Sequence, residues 1–344
     1  MSHRAEAQEV VRARAFAPGH VTGLFAPAQI GRDPRGRGSV GAGLVLPLGV
    51  WAEATFIPGE PQRPQMAADV RRALPISRDV LERVGAGAPG ALRVRLRHEL
   101  PIGQGFGMSA AGALATALST ASVLDRSPPR AIEVAHLAEL FHRGGLGGVA
   151  AILGGGLEIR TRPGLPPIGR IERRAFPYPI FLAVAGPPMP TPTKLSEAEF
   201  LGRVADAGLS RLRTLSRSGS GRRFLSLAQS FGDELGLETP RLARLLARIR
   251  SPTIFACQTM FGQSLFAVPT SSAARRSLIT RLRESGMPAV EVRSPDRGAW
   301  VTPDPAEAAS ATATTRPAPR AIARPTTTSL GKRFNRRPAR PRPR

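Results

Sequence analysis

Between Ala91 and Arg97 the chain alternates Leu92, Val94 and Leu96 with Arg93, Arg95 and Arg97, the period of a strand with one buried face. A glycine-rich loop follows, Pro101-Ile-Gly-Gln-Gly-Phe-Gly-Met108. From Ser109 the run SAAGALATALSTASVL, small and apolar, predicts a tightly packed helix. A second helix is predicted to open after Pro128-Pro129 and to run to about Arg143, with Val134, Leu137 and Phe141 as its apolar stripe. Gly154-Gly-Gly-Leu-Glu-Ile-Arg160 reads as the next strand. Beyond Pro163 the rhythm changes. A strand over Ile180 to Ala185 is followed by helical stretches near 195–217, 222–234 and 239–249, then by Phe261-Gly-Gln-Ser-Leu-Phe-Ala-Val268, a helix near 271–285 and a strand over Ala289 to Arg293. Strands and helices in this irregular order predict an α+β fold in place of a doubly wound sheet. Domains are expected over 1–165 and 166–305, with a tail over 306–344.

Composition changes this picture mainly at the end of the chain. The 344 residues are 42% hydrophobic, enough for a sizeable core. From Ser310 to Arg344, however, Ala, Thr, Pro and Arg alternate without a period, which predicts a disordered basic tail. Residues 311–344 carry ten Arg or Lys and no acid, within a formal net charge of +24 for the whole chain. A solvated appendage and a contact with nucleic acid or another polyanion both fit the tail; no dedicated nucleic-acid motif accompanies it. The long apolar run of a membrane span is absent and the N-terminus is polar, so the expectation is a soluble cytoplasmic protein without membrane contact. Cys257 is the single cysteine, which excludes intramolecular disulfides and multi-cysteine metal sites.

Strand, glycine loop and helix in that order make an anion site: glycines let backbone N–H groups approach phosphate oxygens, and the helix N-terminus adds positive potential. The spacing of Gly103, Gly105 and Gly107 is not the dinucleotide G-x-G-x-x-G, and no lysine lies nearby to complete a Walker A loop. The H-R-D and D-F-G elements of protein kinases are missing. The stretch PIGQGFGMSAAGAL resembles the second motif of the GHMP kinases, with Pro101, Gly103, Gly105, Ser109, Ala110 and Ala111 carrying the likeness. Ala17-Pro-Gly-His-Val-Thr-Gly-Leu-Phe25 is similar to that superfamily's first motif, and Met260-Phe-Gly-Gln-Ser-Leu-Phe-Ala267 to a variant of its third.

PGHVTGLF, Gly38-Ser-Val-Gly-Ala-Gly43 and the particular form of the loop are similar to the archaeal-type pantoate kinases, over roughly residues 13–302. That resemblance implies a ribosomal-protein-S5-like N-terminal domain and a ferredoxin-like C-terminal domain with ATP held between them. It also implies Mg2+ as cofactor, pantoate as the small-molecule substrate phosphorylated to 4-phosphopantoate on the route to coenzyme A, and a homodimer. A GHMP kinase acting on homoserine, mevalonate or a sugar would keep the same loop.

The loop residues Pro101, Gly103, Gln104, Gly105, Phe106, Gly107, Met108, Ser109 and Ala110 are the candidates for holding ATP. Ser109 can offer its hydroxyl to Mg2+ or phosphate, or serve as a helix cap. Magnesium commonly uses only one or two carboxylates. His136 and Glu139, three apart, share one helix face. A solvated polar face would account for the pair, whereas the resemblance implies that Glu139 joins Ser109 on the metal and that His136 faces the substrate. Arg160 is a candidate partner for the pantoate carboxylate, since a guanidinium binds carboxylates bidentately, although 49 basic residues compete for that role. Thr193 is a candidate for a substrate hydroxyl contact, and His20 and His142 read as structural or exposed.

One departure stands out. The related glycine turn usually reads T-G-L-G-D, with the aspartate as general base, but here it is Gly144-Gly-Leu-Gly-Gly148. Gly148 occupies the aspartate position, so no catalytic side chain is predicted there. Loss of a positioned base costs about 10²- to 10⁴-fold in rate, yet phosphoryl transfer can proceed on positioning. A slow or differently assisted kinase and a nucleotide-binding protein without chemistry both fit. Retention of the loop, Ser109, Glu139, His136 and Arg160 favours the kinase.

Overall fold

The longest elements are two strands that alternate only at one end, over Val11 to Ala15 and Trp51 to Phe56: β1 (Val11–Gln29) and β2 (Arg37–Pro58), paired antiparallel along their length. Most of their residues are buried on both faces, so they read as near-continuous apolar runs. A computed structural model describes residues 9–71, 74–188 and 198–303; Thr193 and the basic tail over 306–344 lie outside the described residues.

Beside the hairpin, β3 (Gln65–Ala68) runs parallel to β4 (Gly90–His98), and β4 pairs antiparallel with Val50 to Pro58 of β2. Leu92, Val94 and Leu96 point inward and Arg93, Arg95 and Arg97 outward, as the alternation predicts. On the same edge of β2, β5 (Leu157–Arg162) pairs with Gly41 to Leu44, and β6 (Arg170–Arg174) lies outside β5. The division expected near residue 165 therefore passes between two hydrogen-bonded neighbours of one sheet. Because β4 and β5 share an edge of β2, the loop leaving β4 and the side chains of β5 are brought to one place.

Four helices cover this sheet: α1 (Pro75–Val84), α2 (Met108–Val123), α3 (Pro128–Phe141) and the short α4 (Gly148–Ala151). Nearly every residue of α2 is buried, as a helix apolar all round must be. The stripe expected on α3 is not its buried face. Ala131, Ala135 and Ala138 turn inward together with His136 and Glu139, while Val134 and Leu137 are half-buried and Phe141 is 61% exposed. Small side chains let α3 lie close to α2, and close approach outweighs apolar bulk.

The second sheet is antiparallel in the order β10 (Ala289–Val292), β7 (Ile180–Val184), β9 (Ser264–Pro269), β8 (Ile254–Gln258). Alternate residues of β7 enter different cores: Phe181 and Ala183 face α7 (Pro240–Ile249) and α8 (Ser272–Glu284), while Ile180 and Leu182 join the main core. In that main core α5 (Ala198–Ser218) and α6 (Gly221–Leu235) pack against β1. The chain then returns to the large sheet as β11 (Trp300–Pro303) on β1. No helix among the described residues is long and apolar enough to cross a membrane.

Gln104 ties the loop after β4 to the second sheet. Its Nε2 donates to the Gly186 carbonyl at 2.9 Å, its Oε1 accepts from Ser264 Oγ at 2.6 Å, and its own carbonyl accepts from Thr259 Oγ1 at 2.8 Å. Truncation to alanine strands buried polar groups on β9 and beyond β7, at about 1–3 kcal/mol. Gln104→Ala is therefore expected to lose that much stability in urea titrations, with no change in secondary structure by circular dichroism.

Candidate active site

The glycine loop owes its shape to three left-handed residues, Gly103 (φ 77°), Gly105 (φ 72°) and Gly107 (φ 72°), a conformation costly for residues with a Cβ. Gly107 is also the N-cap of α2, and no side chain caps that helix. The first-turn N–H groups at Met108, Ser109 and Ala110 are thus the donors left for an anion. Gly105 could not carry a Cβ in any case, since one would stand 2.6 Å from the Met260 carbonyl. The loop over residues 259–262 thereby buttresses the phosphate loop from the second sheet.

These elements line one cleft of about 460 Å³. Gly103, Gly105, Phe106, Gly107, Met108, Ser109 and Ala110 form one wall, Glu139 and the glycine turn over 144–148 another, and Arg160 a third. Ser109 is exposed to the cleft and does not cap its helix. Pro101 and Gln104 do not line it; the Gln104 side chain faces the second sheet. His136 is not in the lining either. It is fully buried, with Nε2 3.2 Å from the Arg37 carbonyl, and burial holds its imidazole below the ordinary value against that hydrogen bond.

Glu139 is buried, and its Oε2 accepts from the Val149 N–H at 3.1 Å. Burial raises its pKa to about 7, opposed by the backbone donors at Val149 and Gly148 and by Arg160. Its Oε1 stands 2.6 Å from where a Cβ on Gly148 would be, and the Ala110 Cβ stands 2.7 Å from the same point. Gly148 is the first residue of α4, packed directly onto α2. Its lack of a side chain is what lets that contact form.

Glu158 and Arg160 are two apart on β5 and so share a face, while Leu157 and Ile159 enter the core. Arg160 Nη1 is paired with Glu158 Oε1, and the same oxygen lies 2.9 Å from His20 Nε2. His20 reaches it from β1 at an irregularity between Pro18 and His20, the kind of local shift that re-aims a side chain. Burial opposes the charge on Glu158, but Arg160 and His20 outweigh it and hold the carboxyl below its ordinary value. Arg160 Nε, also buried, has no partner among the described residues. Gly147 faces that atom; a Cβ there would lie 3.1 Å from it and 2.6 Å from Ser39 Oγ. The glycine keeps both groups open to the cleft.

Sequence reasoning missed His20, Glu158 and Ser39. The first and last lie in quoted glycine-rich segments, and Glu158 shares its strand face with Arg160, so i, i+2 spacing was the available signal.

An uncapped helix N-terminus facing a carboxylate and an open guanidinium edge is the layout of a small-molecule phosphotransferase. The family described as GHMP kinases N terminal domain matches residues 71–156. The pantoate kinase of Methanospirillum hungatei JF-1 is 31% identical over 268 residues, which covers 76% of this chain and 88% of that protein. The pantoate kinase of Thermococcus kodakarensis is 33% identical over 280 residues, covering 77% and 90%. A solved structure described as a phosphotransferase related to the CoA biosynthesis pathway superposes with a TM-score of 0.76 at 28% identity, over 86% of this chain and 99% of the other. The chain belongs to the pantoate kinase family of the GHMP kinases, enzymes whose phosphoryl donor is ATP.

Two outcomes follow from this geometry. Between pH 4.5, the ordinary value, and about 7, Glu139 ionises in the unfolded chain but not in the metal-free fold, so its contribution to stability falls as pH rises through that window. Glu139→Gln is expected to abolish that loss, making the metal-free protein more stable than its parent at pH 8 by up to about 3 kcal/mol. At pH 4.5 the two should melt alike; thermal melts across pH read both. Gly148→Asp is expected to cost about 1–3 kcal/mol through overpacking against Ala110 and Glu139, and steady-state assays should show no gain in turnover.

Proposed function

We propose that this chain transfers the γ-phosphoryl group of ATP to the 4-hydroxyl of pantoate, giving 4-phosphopantoate for coenzyme A synthesis. The observation that carries the substrate is the free edge of Arg160. With Nη1 held by Glu158, the Nε–Nη2 edge remains for a ligand carboxylate, and that edge suits two parallel hydrogen bonds. Ser39, on the same side of the turn, adds a hydroxyl donor within reach of the bound acid.

The residues fit magnesium in the way that ion is usually held. Among the described residues no cluster of three His, Cys, Asp or Glu exists, whereas magnesium commonly takes one or two carboxylates and completes its shell with phosphate and water. Glu139 supplies the carboxylate and Ser109 the hydroxyl. Bound there, the ion would neutralise charge on the transferring phosphate. Glu139 must release its proton to bind it, so metal affinity is expected to rise with pH.

The chain itself binds and orients. The N–H groups at the start of α2 hold phosphate oxygens, and the buried faces of the loop exclude water. Arg160 fixes the acceptor by its carboxylate so that the hydroxyl, a short aliphatic chain away, meets the phosphoryl group beside Ser109. Such positioning supplies most of the catalysis in phosphoryl transfer.

ADP release by the purified protein with ATP and Mg2+ tests the reading against pantoate, homoserine, mevalonate and no acceptor. Pantoate-dependent release is expected; its absence, with turnover on another acceptor, would replace the substrate. Arg160→Lys keeps a cation for Glu158 but loses the planar fork. It is expected to raise the KM for pantoate about 10- to 100-fold, the worth of a charged hydrogen bond or two, with the KM for ATP within a few-fold of the parent.

A further inference from the structure

The transfer releases a proton from the acceptor hydroxyl, and the glycine turn offers no side chain to take it. Three side chains along the cleft could do so on chemistry alone: Glu139, His142 and His20. Glu139 is committed to the Val149 N–H and, on the reading above, to the metal. His142 lies toward the rim, its Nε2 3.2 Å from Asp79 Oδ2 on α1. His20 stands where the acceptor is held, because it and Arg160 are bonded to one oxygen of Glu158.

We propose that His20 is the general base of the reaction, with Glu158 as the residue that orients it. This rests on the acceptor lying at Arg160. A carboxylate can only accept, so the His20 Nε2 facing Glu158 carries the ring proton. Nδ1 is then the basic nitrogen, and among the described residues the ring's one hydrogen bond is that at Nε2. The residue is held at its backbone and at its ring. Its backbone N–H donates to the Phe106 carbonyl of the phosphate loop at 2.9 Å, and its Nε2 and Cε1 lie against Gly43, where any Cβ would collide with them. The point a Cβ on Gly107 would occupy is 3.2 Å from the His20 Cβ, so the imidazole springs from the edge of the phosphate cradle.

As the hydroxyl oxygen bonds to the γ-phosphorus, its O–H bond breaks and the proton passes to Nδ1. The bond from the γ-phosphorus to the β,γ-bridging oxygen breaks, and its electron pair leaves with ADP. Glu158 then balances the imidazolium, as the third member of a nucleophile–base–carboxylate set does. The charged groups facing the ring are Glu158 and Arg160 on β5 and Arg173 on β6. Burial, with the two arginines, keeps the free imidazole neutral below its ordinary value of 6.5 although Glu158 pulls the other way.

His20→Gln keeps a donor toward Glu158 and removes the basic nitrogen. In the full-length protein with ATP, Mg2+ and pantoate, kcat is expected to fall about 10²- to 10⁴-fold. The KM for pantoate and the binding of a non-hydrolysable ATP analogue should stay within a few-fold. The acid limb of the parent's kcat profile, inflecting below pH 6.5, should vanish in the variant. A kcat within about five-fold of the parent, or an acid limb that persists, overturns the assignment. An independent reading needs no variant: imidazole nitrogen shifts of the parent at pH 7.5 should show His20 protonated at Nε2 and bare at Nδ1, and an Nδ1–H tautomer sinks the proposal even if His20→Gln does not fold. A parent without pantoate turnover would instead fail the substrate assignment, leaving the tautomer result to stand separately.

Discussion

The Glu158 carboxylate is fully buried, where burial alone would strip its charge. Arg160 and His20 meet on its Oε1 and keep it ionised. Three long-range facts must hold for this to form: the register of β5 on β2, the irregularity in β1, and the absence of a side chain at Gly43 beneath the imidazole. Removing one member of such a buried set leaves an uncompensated charge, at about 3–5 kcal/mol. A one-residue slip of β5 would send both charged residues into the apolar core and bring Leu157 and Ile159 to the cleft. The set is also incomplete on its own, since Glu158 Oε2 and Arg160 Nε lack partners among the described residues. Unpartnered buried polar groups are uncommon in folded proteins, and of these two only the Arg160 Nε–H is a donor that an anion could satisfy.

The glycine turn takes its meaning from the same neighbourhood. Gly145, Gly147 and Gly148 each bring bare backbone against a working side chain: Glu139, Arg160 with Ser39, and Glu139 with Ala110. A carboxylate at position 148 would not simply be added to this site. It would push α4 from α2 and displace the Glu139 oxygen that faces the cleft. The turn and its surroundings are packed for glycine, so position 148 has no room for a side-chain base.

How much of this could be read from sequence depended on whether the signal was local. The phosphate loop was legible because a strand, spaced glycines and a helix start lie within about twenty residues, and glycine at left-handed positions has few substitutes. Glu139 and Arg160 carried no distinguishing local pattern and rested on resemblance. His20 and Glu158 are 138 residues apart, joined only through β2, and nothing in either segment announces the other. Most of the β1–β2 hairpin escaped because burial on both faces erases alternation beyond Ala15 and before Trp51. The stripe on α3 was misplaced for the opposite reason: apolar periodicity pointed to Val134, Leu137 and Phe141, while the packing chose alanines. Gln104 sat inside the motif yet turned outward, since a loop pattern fixes backbone and leaves side-chain direction to the partner sheet.

Glu139 on the cleft wall and Glu158 behind His20 and Arg160 thus have their protonation pushed in opposite directions, Glu139 up to about 7 and Glu158 down. Separated acid–base behaviour of this kind assigns roles. The cleft has to admit two anions, a nucleotide and a carboxylic acid. Glu158 stays charged because Arg160 and His20 meet it, and the Arg160 Nε on the other edge of the guanidinium keeps no partner among the described residues. Glu139 has only the Val149 and Gly148 N–H groups and the field of Arg160 against its burial, and these do not offset it. On the proposed reading Glu139 would have to give up its proton to hold the ion, so its carboxyl would be more fully ionised in the loaded cleft than in the empty one.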